Sequence, residues 1–338
     1  MSSPRRTRCS LFVLLIAQLA LGIACRETPV TAGDAGAAPV RSVQAFATAS
    51  LKNGALALPN KINSVKFAVI GDSGRGTAPQ HEVAGQMQRY HEEFKYPFVL
   101  MVGDNIYEGP ATAEDYRAKF EAPYRELLDD SVRFFAALGN HDDPNQVFYG
   151  PFHMKGERYY SFAPPEDVLT RVTTTVEFFA LDSTNLDRGQ MQWLDEQLGK
   201  SSASWKIVFM HHPLYTSGRY RNASRAHRWA LEPLLVKHQV DAVFSGHEHI
   251  YQRIELQKGI QYFVSGGAGS LRRGDGVAAP FVARTYDEDY HFMLVEIEGD
   301  ALHFQAISRT GETIDAATVI RSHAPTRTAT PQGTPVLH

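Results

Sequence analysis

Five times in this chain a short apolar run stops at a tight turn, and a side chain able to bind a metal or to hydrogen-bond follows at once. Val65–Ile70 stops at Gly71-Asp72, Phe98–Val102 at Gly103-Asp104 and Val132–Leu138 at Gly139-Asn140. Ile207–Met210 runs directly into His211, and Val240–Ser245 into Gly246-His247. Runs this short and this apolar read as buried strands. Between and after them, His81–Phe94, Ala113–Leu128, Gln190–Leu198 and Arg225–Lys237 carry helical spacing, and Val176–Leu181 reads as a further strand. The remainder (Ile260–Val264, Phe292–Ile297, Leu302–Ser308, Thr313–Ile320) is strand-rich. Strand–helix alternation followed by a strand cluster predicts a layered α/β domain, largely parallel at first. In open α/β sheets, sites form outside the carboxyl ends of strands, where side chains from several loops converge. One Gly-Asp at a strand end is ordinarily a turn or a helix cap. Five in one chain, of mutually compatible chemistry, point to a shared site.

The set offers carboxylates, an amide oxygen, imidazoles and a phenol, and the chain holds only two cysteines. Such oxygen and nitrogen donors suit iron, manganese and zinc and not the soft thiophilic ions. His247 and His249, two apart in an extended segment, point to the same side. A carboxylate can bridge two ions, and two ions about 3.5–4 Å apart form a clamp for in-line displacement at phosphorus. Composition excludes several other classes. With 43% hydrophobic and 21% charged residues in 338, the chain has material for a core and is neither disordered nor collagenous nor a multi-span membrane protein. Lys plus Arg (34) nearly balance Asp plus Glu (37), so no bulk basic field calls for nucleic acid, and no nucleic-acid binding is expected. Gly71–Gly76 lacks the Gly-Lys-Ser/Thr of a nucleotide P-loop.

Gly71-Asp72-Ser73-Gly74, Gly103-Asp104-Asn105-Ile106-Tyr107, Gly139-Asn140-His141-Asp142, Val208-Phe209-Met210-His211 and Gly246-His247-Glu248-His249 occur in that order. They resemble the five motif blocks of the calcineurin-like metallophosphoesterases, and Tyr107 narrows the resemblance to the purple acid phosphatases. The resemblance spans about residues 65–310 and includes Ser265–Gly269, similar to a late glycine-rich stretch of the family. No additional N-terminal β-domain fits in residues 26–64, so the short, single-domain form is expected. The implied fold is α/β: two facing mixed β-sheets flanked by helices, four layers in all. The implied cofactors are two metal ions, Fe(III) in the first site and Fe, Zn or Mn in the second. Asp72, Tyr107 and His249 would bind the first; Asn140, His211 and His247 the second; Asp104 would bridge them. The implied reaction is phosphomonoester hydrolysis by a metal-bound hydroxide, releasing inorganic phosphate from a small-molecule ester.

His141 would stabilise developing charge and protonate the leaving oxygen. His212, beside a ligand position, is a second catalytic candidate or a residue packed against Pro213. In many members, one or two histidines follow the fourth block by about nine residues and contact phosphate. Here that stretch is Thr216–Arg221, so Tyr220 and Arg221 become the candidate substrate contacts, and His227 lies a few residues too far along. Two alternatives stay open: a phosphodiesterase or phospholipid-directed enzyme of the same superfamily, and a non-catalytic metal- or phosphate-binding surface protein.

The flanks read as targeting and linker. Arg5, Arg6 and Arg8 precede the 14-residue apolar run Leu11–Ala24, too short for the ~20 residues that span a bilayer but suited to a signal-peptide core. It ends Leu21-Gly22-Ile23-Ala24-Cys25, which resembles a bacterial lipoprotein processing site. Residues 1–25 are thus a candidate signal peptide, and Cys25 a candidate lipid anchor and the sole expected membrane contact. Ordinary secretory cleavage near Ala24 is the alternative. Either makes the protein exported, to the periplasm or the cell surface. Residues 26–62 are expected to be a flexible tether, 63–321 the catalytic domain and 322–338 a disordered tail.

Overall fold

The computed structural model describes residues 40–45 and 54–322. In chain order the elements are β1 (Val40–Ala45), β2 (Val65–Ile70), α1 (Ala78–Phe94), β3 (Phe98–Met101), α2 (Ala113–Tyr116), α3 (Arg125–Asp129), β4 (Arg133–Ala136), β5 (Tyr160–Phe162) and α4 (Glu166–Leu169). They continue with β6 (Val176–Leu181), α5 (Arg188–Lys200), β7 (Trp205–Met210), α6 (Ser224–Lys237), β8 (Ala242–Ser245), β9 (Tyr251–Ile254) and β10 (Gln261–Ser265). The chain closes with β11 (Val282–Tyr286), β12 (His291–Glu298), β13 (Ala301–Ser308) and β14 (Thr313–Ser322).

The apolar runs are buried strands, and their period explains the layers. In β2, Val65, Phe67 and Val69 face one core while Ala68 and Ile70 face another. In β7, Trp205, Ile207 and Phe209 face in, and Val208 and Met210 face out. A strand covered on both faces carries apolar residues at every position. Two seven-stranded sheets result, ordered β1-β14-β13-β12-β2-β3-β4 and β11-β9-β10-β8-β7-β6-β5. Their inner faces meet through aromatic contacts: Phe67–Phe178 at 5.2 Å, Phe98–Phe178 at 5.3 Å and Phe263–Phe304 at 4.8 Å between centroids. Edge-on pairs of this kind add to the burial that holds the sheets together. Val83, Met87 and Phe94 of α1 cover the first sheet outside; Leu194 and Leu198 of α5 with Leu231 and Leu235 of α6 cover the second. The four-layer α/β arrangement is as expected.

Each sheet has a parallel segment, β2-β3-β4 in one and β6-β7-β8-β10 in the other. Antiparallel strands flank both segments. All five motif turns leave the carboxyl ends of strands in those parallel segments.

Three expectations change. The single helix over Ala113–Leu128 is broken into α2, a π-helical turn over Arg117–Glu121, and α3. Pro123 has no N–H to give the Lys119 carbonyl, and Gln80 Nε2 donates to that oxygen instead at 2.7 Å. The tether over 26–62 is also wrong in part. Residues 40–45 form β1, antiparallel to β14, and Arg41 is anchored on Asp241 at 2.5 Å. Buried Glu296 accepts from the N–H groups of Asn60 (2.7 Å) and Lys61 (2.6 Å), pinning the approach to β2. Finally, β5, β9 and β11 are strands that the pattern does not announce. The expected signal peptide and the tail beyond Ser322 lie outside the described residues. Among the described residues, no helix is long and apolar enough to cross a membrane.

Candidate metal centre

The turns after β2, β3 and β8 place their side chains by unusual backbone. Asp72 (φ 54°), Asp104 (φ 53°) and His247 (φ 68°) all occupy the left-handed region. That region costs a non-glycine residue of order 1 kcal/mol or more and persists only where the surroundings impose it. Two glycines make room. Gly103 has φ 90°, and a Cβ there would lie 2.6 Å from His211 Nδ1. A Cβ on Gly246 would lie 2.5 Å from Asp72 Oδ2.

The side chains so aimed form two groups. In the first, the Tyr107 hydroxyl is 3.2 Å from both Asp72 Oδ1 and His249 Nε2, and those two atoms are 3.3 Å apart. In the second, His211 Nε2 is 3.3 Å from Asp104 Oδ1, 3.1 Å from Asn140 Oδ1 and 3.2 Å from His247 Nδ1. Asp104 belongs to both, because ligand atoms of Asp72, Asp104 and His249 also lie within 4.8 Å of one another. All seven sequence-predicted donors therefore converge.

Do these residues fit metal ions? Bonds of about 2.0–2.2 Å to oxygen and nitrogen put neighbouring ligands roughly 3 Å apart, the spacing observed within each group. Electrostatics agree. Asp72 is fully buried with no Lys or Arg partner among the described residues, and desolvation raises its carboxyl to about 8, with the Asp104 charge adding to the rise against His211. Burial, then the charges of Asp72 and Asp104, push the Tyr107 phenol far above its usual range. Buried acidic donors that hold their protons against the usual range are a site prepared for a cation, whose binding displaces those protons. His211 is oriented for this: its Nδ1 lies 3.0 Å from the Val102 carbonyl, leaving Nε2 toward the donors.

The other sequence-predicted residues divide. His141 is exposed, its backbone N–H donates to Asp104 Oδ1 at 3.0 Å, and its ring stands 4.9 Å from that of Tyr107. Tyr220 lies over His247 with ring centroids 4.3 Å apart. His212 packs against the second donor group by its ring and hydrogen-bonds elsewhere. Its Nδ1 is 2.9 Å from Ser183 Oγ, and its ring sits between His247 (4.4 Å) and a parallel His227 (4.6 Å). Burial, then the neighbouring His211 and His227, lower its pKa to about 3, so it is neutral. Arg221 faces away, its Nη1 donating to the Gly218 carbonyl at 3.3 Å beside a separate cavity.

Sequence reasoning missed three supports. Half-buried Asp142 accepts from the N–H groups of Asn105 (2.7 Å), Ile106 (3.0 Å) and Gly139 (2.8 Å), lashing the second motif to the third. Buried Glu248 accepts from the N–H groups of Tyr220 (2.6 Å) and Arg219 (3.1 Å), bringing the 216–221 loop onto His247. Both carboxylates lie inside quoted motifs, and their position was the available signal. The third is Arg75, whose guanidinium carbon lies 3.5 Å from the Tyr107 ring centroid.

Comparison with known proteins agrees with this geometry. Residues 65–251 match the calcineurin-like phosphoesterase family model. The chain is 29% identical to purple acid phosphatase 4 of Arabidopsis thaliana over 252 residues, 64% of this chain and 71% of that protein. It is 25% identical to mouse (Mus musculus) tartrate-resistant acid phosphatase type 5 over 243 residues, 62% of this chain and 73% of that one. Among solved structures, GAP50, the anchor in the inner membrane complex of Plasmodium, superposes with a TM-score of 0.66 at 20% identity, covering 77% of this chain and 90% of that one, a likeness of fold. With its five motif turns converging at the strand ends and its match over residues 65–251, the chain belongs to the calcineurin-like phosphoesterase family, and its similar proteins include purple acid phosphatases.

Proposed function

We propose that the protein is an exported dimetal acid phosphatase of the purple type, hydrolysing small phosphomonoesters to release inorganic phosphate. The observation that carries this is Asp104, which stands in both donor groups while Tyr107 stands in one. Asp72, Tyr107 and His249 would hold Fe(III), and Asn140, His211 and His247 the second ion (Fe, Zn or Mn), with Asp104 between them. A phenolate and two carboxylates neutralise a trivalent ion, whereas an amide and imidazoles leave the other more electrophilic. When bound, the ions supply Lewis-acid activation of the phosphoryl group and acidify water.

The chain's own residues do the rest. His141, exposed beside the donors, stabilises the developing charge and gives its proton to the leaving oxygen. Tyr220 walls the second group. His212, held by Ser183, keeps the His247 ring in place as a positioning residue. Arg221 would contact only a substrate long enough to reach its cavity.

The test is hydrolysis of 4-nitrophenyl phosphate against bis(4-nitrophenyl) phosphate by the metal-loaded protein. Preference for the monoester is expected. Diester preference would move the assignment to the phosphodiesterase reading, and full metal occupancy with no hydrolysis would support a binding protein. Export through the Leu11–Ala24 run and lipid anchoring at Cys25 are tested by fractionation. Cys25→Ala should move the protein from the membrane fraction to the soluble periplasm, and an unmoved protein would remove the anchor.

A further inference from the structure

A second cavity adjoins the metal centre. It has a volume of about 540 Å³ and is lined by Arg75, Thr77, His249, Ser270, Arg272 and Tyr290 among others. Because His249 is one of the seven donors, the cavity opens directly on the first donor group.

Two arginines face it from different loops. Arg75 is fixed by stacking on Tyr107 and by its Nε donating to Ser270 Oγ at 3.0 Å. Its one carboxylate contact among the described residues is Glu108 at 3.5 Å, whose side chain is 80% exposed, too long and too wet to neutralise it. Arg272 is fixed through its backbone N–H, which donates to the His249 carbonyl at 3.1 Å, and its guanidinium lies 5.2 Å from the Tyr220 ring centroid. Its Nη1 is buried without a hydrogen-bond partner, and no carboxylate pairs with it among the described residues. Buried donors are ordinarily satisfied, so Arg272, lining the cavity with an unpartnered nitrogen and no carboxylate beside it among the described residues, leaves a positive charge there without a counter-ion.

We propose that Arg75 and Arg272 form a subsite for a second anionic group, phosphate or carboxylate, on the leaving portion of the substrate. This rests on the phosphatase reading above. The placement suits it: His141, which protonates the leaving oxygen in that reading, and Arg75 both lie against the Tyr107 ring, at 4.9 and 3.5 Å from its centroid, so the departing group leaves beside the ring that Arg75 covers. A rigid guanidinium fork matches a planar carboxylate or a phosphate. The neighbouring cavity, of about 400 Å³, also holds arginines but none of the seven donors. There Arg228 stacks on Tyr215 and Arg221 bonds the Gly218 carbonyl.

The experiment compares 4-carboxyphenyl phosphate with its methyl ester on metal-loaded wild type, Arg75→Gln, Arg272→Gln and Arg272→Lys. Wild type should favour the anionic ester in kcat/KM about tenfold, the worth of one charge-assisted hydrogen bond. Each Gln variant should lose that preference, mostly through KM, and the Lys variant should fall between. Calorimetry gives a readout without turnover: the ratio of methylenebisphosphonate to methylphosphonate affinity should fall about tenfold in the Gln variants. A wild type that hydrolyses both esters with no preference overturns the subsite and leaves the phosphatase standing. So does a preference that survives in both Gln variants. Failure of wild type to hydrolyse either ester overturns both readings.

Discussion

His291 should make the protein acid-labile. Its ring is fully buried, 5.7 Å from the Tyr251 ring centroid, and neither ring nitrogen has a hydrogen-bond partner of normal geometry. Burial lowers its pKa from 6.5 to about 4, opposed only in part by the backbone at Asp289. In the unfolded chain the imidazole takes up a proton near pH 6.5, while the native state refuses it until about pH 4. The unfolded state therefore binds more protons across that window, and stability falls as pH falls through it. From these two values the loss is about 2 kcal/mol at pH 5 and about 3 kcal/mol at pH 4, relative to neutral pH. His291→Phe removes the titration and keeps an aromatic ring against Tyr251. Any packing cost of the larger ring is the same at every pH, and metal release at low pH is common to both proteins. Urea unfolding at pH 7 and pH 5 should show the variant gaining about 2 kcal/mol on wild type between the two. Parallel stability curves would refute the reasoning, as would an NMR titration of His291 near pH 6.5.

Three further outcomes follow from the site. Asp104→Ala should lose both metals on dialysis, because its carboxylate stands in both donor groups; a variant retaining two ions by elemental analysis would contradict the bridging role. His141→Ala should keep its metal while kcat falls about 10²–10⁴-fold, the usual range for a positioned acid or base, and an unchanged rate would remove it from the reaction. Glu248→Gln should destabilise the protein by about 1–3 kcal/mol and raise KM, since the Tyr220 and Arg219 N–H groups lose their carboxylate; denaturant melts and steady-state kinetics read both.

How much of this was legible in the sequence depends on what sets each element. The strands that carry the site are buried on both faces, so apolar runs such as Val65–Ile70 mark them, and Gly-Asp, Gly-Asn and Gly-His mark their ends. Strand β9 was not legible because two buried polar residues paired at long range stand between Tyr251 and Ile254. Arg253 bonds Asp315 at 2.7 Å, and Gln252 Nε2 bonds Ser217 Oγ at 2.6 Å. The edge strand β1 stayed hidden because Arg41 and Asp241, 200 residues apart, hold it in place. The broken helix over Ala113–Leu128 carried its own warning in Pro123. At the site, Asp72, Asp104, Asn140, His211 and His247 were readable because each follows a strand end, His249 by its spacing from His247, and Tyr107 through the family resemblance. The roles of Asp142 and Glu248 were not, because a carboxylate that accepts backbone N–H groups looks in sequence like one that binds metal. His212 shows the converse: beside a donor on the chain, it points toward Ser183.

The central claim is a dimetal centre with Tyr107 on iron. It is tested most directly by a visible absorption spectrum of the purified, periplasmically expressed protein, with metal analysis on the same sample. The account predicts a violet phenolate-to-iron band, two metal ions per chain with iron among them, and loss of the band in Tyr107→Phe. A colourless protein holding two manganese or zinc ions would contradict it, keeping the phosphoesterase but taking Tyr107 off the metal.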